Sequence, residues 1–170
     1  MKTMPMRDLA RPFAAAALAA VLAAVAPASA APTKQSFPYY ASISAGKARM
    51  RTGPAHSYPA SWLYQRADLP VRVIGAFKEW RHLEDPDGTE GWMLGNLVSS
   101  TRTAIVRGKE PAPMLDRPAA GALIKWRAAP GVVGRISRCG SGFCRFDVRG
   151  QAGFVEVANL WGIEPGETLP

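Results

Sequence analysis

The sequence predicts an all-β protein: two tandem small β-barrels behind an N-terminal export signal. Three observations carry this expectation. A short apolar leader opens the chain, one order of motifs occurs twice after it, and prolines fall too densely for helices while suiting short strands and turns.

The leader occupies residues 1–30. Lys2, Arg7 and Arg11 precede an unbroken apolar run from Phe13 to Ala26, and Pro27 with Ala28-Ser29-Ala30 closes it. A basic start, a short apolar centre and a small-x-small end are the layout of a secretory signal peptide, cleaved between Ala30 and Ala31. As a helix that run rises about 21 Å, short of a hydrocarbon core of about 30 Å. The expected product is an exported, periplasmic or secreted chain with no stable membrane insertion after cleavage.

The whole chain of 170 residues carries 21 Lys+Arg against 13 Asp+Glu, a net +8. Lys2, Arg7, Arg11 and Asp8 belong to the leader, which leaves +6 for residues 31–170. The arginines are scattered through the sequence and form no basic tract. Export argues against nucleic acid as a partner, so an anionic envelope polymer is the fitting counterpart of this charge, apart from solubility itself.

Residues 31–38 read as a flexible lead. After it, Ala48-Arg49-Met50-Arg51-Thr52-Gly53-Pro54 is echoed by Ala112-Pro113-Met114-Leu115-Asp116-Arg117-Pro118. Gly91-Trp92-Met93-Leu94-Gly95-Asn96-Leu97 is echoed by Gly153-Phe154-Val155-Glu156-Val157-Ala158-Asn159-Leu160. Each unit is about 55–60 residues, the size of a small autonomous β module. Leu69-Val71-Val73 and Phe146-Val148 alternate apolar with polar residues, the period of a half-buried strand. Asp85-Pro86-Asp87-Gly88 joins Trp80–Glu84 to Glu90–Leu94 as a hairpin, and Arg149-Gly150-Gln151 makes a tighter one. Five or six short strands per unit point to a barrel, which closes on itself and leaves little open sheet edge.

Arg51-Thr52-Gly53-Pro54, the Trp80 strand and the Asp-Gly hairpin leading into Gly91-Trp92 resemble the bacterial SH3-like (SH3b) domain family, and in particular exported proteins with two such domains in tandem. The resemblance implies domain 1 over 39–106 and a divergent domain 2 over 107–164, followed by a tail at 165–170. It is looser in the second unit, where Asp116-Arg117-Pro118 and Gly153-Phe154 replace the Arg-x-Gly-Pro and Gly-Trp motifs. On such barrels, aromatic residues around the first long loop form a shallow groove for extended ligands, including cell-wall peptides. Carried onto this chain, that implies a groove of Arg51, Tyr58, Trp62, Tyr64 and Trp92. Trp80 and Trp92, on interior strands, equally suit core filling.

Cys139 and Cys144 flank Gly140-Ser141-Gly142-Phe143, with strand-like residues on both sides. Gly140 and Gly142 supply turn conformations, and paired positions beside a hairpin turn fall within disulfide reach. A structural bridge fits an exported chain with two cysteines; a redox pair would use C-x-x-C, and a metal site lacks further ligands nearby.

Catalysis is not expected. His56 and His82 are isolated, the cysteines are spent on a bridge, and Asp85, Asp87 and Glu90 read as a solvated hairpin with no calcium-loop pattern. No phosphate-binding glycine loop is present, and no cofactor or metal is implied. The expectation is a non-catalytic exported module recognising envelope components such as peptidoglycan peptides. Its alternatives are a periplasmic adaptor that binds another protein, or an accessory to a cell-wall hydrolase on another chain.

Overall fold

The structure is a computed structural model that describes residues 36–170. The leader, the Ala30/Ala31 cleavage point and residues 31–35 of the lead lie outside the described residues. The described residues belong to one compact unit.

The first barrel contains β1 (Tyr39–Ile43), β2 (Ala48–Arg51), β3 (Ala60–Tyr64), β4 (Pro70–Phe77), β5 (Trp80–Glu84), β6 (Glu90–Leu94) and β7 (Val98–Ser99). The second contains β8 (Thr103–Val106), β9 (Ala112–Leu115), β10 (Ile124–Ala128), β11 (Val133–Gly140), β12 (Phe143–Val148), β13 (Gln151–Glu156) and β14 (Leu160–Trp161). A single 3-10 turn precedes the last strand of each, at Gly95–Leu97 and Val157–Asn159. The sheets run β3-β2-β6-β5-β4-β1-β7 and β10-β9-β13-β12-β11-β8-β14. The second order is the first with every strand advanced by seven, so the sequence repeat is a repeat of topology. All-β architecture and two tandem units are as the sequence predicts.

The inner strands show one face to a barrel interior because their apolar residues alternate, whereas β3 and β10 are exposed along most of their length. In the first barrel Ile43, Met50, Val71, Val73, Leu83 and Met93 are fully buried and pack as one cluster. In the second, Val106, Met114, Phe146, Val155 and Leu160 are buried and pack as one cluster. Gly91 and Gly153 sit at the same place in the two barrels, each facing a buried methionine on the neighbouring strand.

The boundary between the barrels falls earlier than expected. Thr103–Val106, assigned from sequence to the end of the first domain, pairs with Val133–Arg135 and Leu160–Trp161 as the opening strand of the second barrel. An isolated four-residue strand carries no sequence mark of its partner, and its place is fixed only by that pairing. Residues 165–170 are likewise no free tail. Leu169 bridges Cys139 by reciprocal backbone hydrogen bonds, and Arg138 N–H donates to the Pro170 carbonyl. Glu167 forms a forked ion pair with Arg102, whose guanidinium holds the carboxyl below its ordinary pKa.

The barrels touch through side chains of both. Tyr40 meets Trp161 edge-on with ring centroids 5.2 Å apart, Arg72 reaches Glu164 at 3.3 Å, and Arg107 reaches Asp87 at 3.2 Å.

Cys139 and Cys144 form a disulfide across the β11–β12 hairpin, with Cα atoms 4.1 Å apart. The turn itself is made by Ser141 (φ 51) and Gly142 (φ 81), a pair of left-handed residues suited to a tight hairpin. Gly140, expected to share that role, lies in β11 instead. The bridge closes a loop of only a few residues, so replacing both cysteines with serine should cost about 2 kcal/mol in denaturant unfolding. The native protein should show no thiol reactive to alkylation; two reactive thiols would refute the bridge.

Candidate functional site

The outer face of the first barrel is set by strand alternation. Ala48 and Met50 of β2 point into the core, so Arg49 and Arg51 point outward. Arg51 lies opposite Trp92, His82 opposite Trp92, and Trp80 opposite Leu94. These cross-strand partners share a face. Trp80 and His82 therefore stand on the side of β5 away from Leu83, which is in the core.

The loop from Thr52 to Pro59 arches over this face. Thr52 N–H donates to the Pro59 carbonyl at 3.1 Å and Tyr58 N–H to the Ala55 carbonyl at 3.2 Å, which fixes the loop's shape. His56 is thereby held edge-on to Trp80, centroids 5.2 Å apart. Under this cover Trp80 is only 3% exposed. It is buried, as expected of a core filler, but by a loop and not by the barrel interior. Arg51 donates from its guanidinium to the Tyr58 carbonyl at 2.7 Å, so the loop also holds the arginine in place. The Tyr58 ring lies directly on Gly53, where a Cβ would come within 2.6 Å of ring carbons.

Between loop and sheet lies a cavity of about 280 Å³ lined by Lys47, Arg49, Arg51, His56, Trp80, Leu94 and Leu97. Leu94 and Leu97 form its apolar side, Trp80 lies buried beneath, and its rim is basic. Beside it, Trp92 stacks on His82 with centroids 4.7 Å apart and planes 9° from parallel. Together these make a shallow cleft with flat apolar surface and charged donors, the composition that small-ligand sites favour.

The five residues implied from sequence do not all meet here. Arg51 lines the cavity, Trp92 stands beside it across from Arg51, and Tyr58 contributes the carbonyl that holds Arg51. Trp62 is 57% exposed but pairs with Met50, which puts it on the opposite face of β3 at the sheet's edge. Tyr64 is 6% exposed, inside the barrel, and donates its hydroxyl to Asp85 at 2.9 Å. It offers no ring to a ligand. Burial and the Asp85 carboxylate raise its pKa. Asp85 is also corrected. It is buried and accepts from the Asp87 and Thr89 backbone N–H groups, so it anchors its hairpin where a solvated residue was expected.

Lys47, Arg49, His56 and Trp80 belong to the cleft and were missed. The alternation Arg49-Met50-Arg51 was the available signal for the two arginines. Nothing local marks His56, whose place depends on how the loop folds back. Among the described residues, no group of three or more His, Cys, Asp or Glu side chains is arranged to hold a metal ion.

The second barrel carries the same cleft with other residues. Asp116 N–H donates to the Leu123 carbonyl and Ala122 N–H to the Ala119 carbonyl, reproducing the loop of the first barrel. Leu115 opposite Phe154 and Phe143 opposite Glu156 match Arg51–Trp92 and Trp80–Leu94. Here the cavity is about 700 Å³, and Ala120, Phe143 and Glu156 stand where the first barrel has His56, Trp80 and Leu94.

Two seven-stranded β units of one topology, each with a loop arched over a cleft, define a doubled small-barrel protein. A family model for the bacterial SH3 domain matches residues 44–99 and again residues 108–162. The chain belongs to the bacterial SH3 domain family, and the tandem resemblance seen in the sequence is correct. No curated protein matches the chain significantly. Among solved structures it is similar to NlpC2 from Trichomonas vaginalis (14% identity, TM-score 0.34), over 73% of this chain and 48% of that one. It is also similar to NlpC1 from Trichomonas vaginalis (13%, TM-score 0.34), over 75% and 47%, and to an NlpC/P60 family protein from Bacillus cereus (10%, TM-score 0.32), over 72% and 55%. The chain thus spans about half the length of these proteins, and likenesses at such TM-scores say nothing about its activity.

Proposed function

We propose that this protein is an exported, non-catalytic binding module that recognises cell-envelope components, peptidoglycan peptides foremost. The cleft under the Thr52–Pro59 loop carries the proposal. It is small, with Leu94 and Leu97 on its apolar side and basic donors at its rim, which suits an extended peptide better than a folded partner. Membership of the bacterial SH3 domain family supports a binding role. Export rests on the leader sequence.

Pelleting residues 31–170 with purified sacculi tests it. Co-sedimentation should persist at 150 mM salt, and His56→Ala should weaken it several-fold by opening the cleft over Trp80. Trp62→Ala, on the other face of β3, should change it little. Absence of co-sedimentation at low salt overturns the cell-wall reading. Loss with Trp62→Ala alone would move the contact surface to the sheet edge.

A further inference from the structure

The two barrels share one cleft but not its charge. In the first, Lys47, Arg49 and Arg51 rim the cavity and no acidic side chain lines it. Among the described residues none of the three basic side chains takes part in an ion pair, although Arg72, Arg102, Arg107 and Arg145 all do. At the matching positions of the second barrel stand Pro111, Pro113 and Leu115. Glu156 replaces Leu94 there, and Glu164 and Tyr40 also line the cavity, which contains no basic side chain.

Solubility does not account for this contrast, since charge that only keeps a chain in solution has no reason to gather around one aromatic cavity. Three like charges around a single hollow repel one another, and no acidic side chain at the cavity offsets that repulsion. Arg51 is moreover held by the Tyr58 carbonyl, so part of its planar fork is fixed while its remaining N–H groups stay free. A fixed guanidinium beside an apolar wall presents paired donors to a planar anion and a surface for the aliphatic group attached to it.

We propose that the first barrel's cleft takes the carboxylate of a peptide, with Arg49 and Arg51 on the carboxylate oxygens and the adjoining small apolar residue against Leu94 and Leu97. The second barrel's cleft does not bind this group. The inference rests on the peptide-binding reading above and names the end of the peptide that the cleft reads. A carboxylate fits better than a phosphate because Leu94 and Leu97 place an apolar wall beside the basic rim. An inorganic anion would leave that wall uncovered.

The test is an NMR titration of residues 31–170 with N-acetylated trialanine, with its C-terminal amide, and with inorganic phosphate, alongside the sacculus assay. The free acid should bind at least about 10-fold tighter than the amide, in keeping with loss of a charged hydrogen bond. Its shifts should centre on the His56 amide and the Trp80 indole. Arg49→Gln with Arg51→Gln, both on the outer face, should leave the fold intact and abolish the preference for acid over amide. Equal affinity for acid and amide, shifts confined to the second barrel, or no binding of either peptide overturns the proposal. Phosphate acting on the same signals as tightly as the peptide also overturns it, by showing a general anion site. Sacculus binding that survives the double substitution sinks this inference and spares the proposed function. Peptide binding without sacculus binding does the reverse.

Discussion

Gly153→Ala should destabilise the protein by about 3 kcal/mol and Gly91→Ala by about 2 kcal/mol, measured by urea unfolding. Both glycines pass a neighbouring strand too closely for a side chain. A Cβ on Gly153 would lie 2.8 Å from the Cβ of Met114 and 3.0 Å from the Met114 carbonyl carbon and the Leu115 carbonyl oxygen. All three atoms belong to the framework of β9 and cannot swing aside. On Gly91 the closest atoms are Cγ and Sδ of Met50, at the flexible part of a side chain, with the Arg51 carbonyl oxygen 2.9 Å away. Methionine can rearrange, so the first barrel should yield more cheaply than the second. The same crossing puts Arg51 opposite Trp92, so Gly91→Ala should also weaken ligand binding at the first cleft. A cost below about 0.5 kcal/mol for Gly153→Ala would mean that β9 and β13 are not packed as described.

The repeat made most of the fold legible. Gly91-Trp92 and Gly153-Phe154 recur because the same crossing recurs, and the crossing needs glycine for the steric reason just given. Hairpins were legible for a similar local reason: Asp85-Pro86-Asp87-Gly88 and Arg149-Gly150 contain the left-handed residues Gly88, Arg149 and Gly150 that their turns require. What escaped was decided between distant segments. Thr103–Val106 is a strand only by virtue of its neighbours β11 and β14. The tail joins the second barrel through Leu169 and Glu167, neither of which advertises a partner. The cleft was half legible. Aromatic density pointed to the barrel and loop that frame this cleft, but aromatic type does not reveal which face of a strand a ring occupies. Trp62 and Tyr64 alternate away from Arg51, and a bulge in the β2–β3 pairing between Met50 and Arg51 shifts the register that would have shown it.

Asp85→Ala should cost about 3 kcal/mol, Tyr64→Phe about 1–2 kcal/mol, and the two together clearly less than their sum. The Asp85 carboxylate accepts from Asp87 and Thr89 N–H at 3.0 and 2.8 Å and from the Tyr64 hydroxyl at 2.9 Å. Removing it orphans two hairpin amides and one buried hydroxyl at once. Removing only the hydroxyl leaves a buried carboxylate with its two backbone donors, a smaller loss. In the double variant the hydroxyl that Asp85→Ala would strand is already gone, which is the source of the coupling. The second barrel shows the same logic: Ala128 and Val148 occupy the matching positions, and that barrel closes with an apolar pair. Polar and apolar solutions are each self-consistent, and only the mixture is costly. Asp85→Asn keeps an acceptor for the two amides and should cost less than Asp85→Ala. Strict additivity in the Tyr64–Asp85 cycle would show that the hydroxyl is satisfied elsewhere, and the pair would then have no part in holding the hairpin to the barrel.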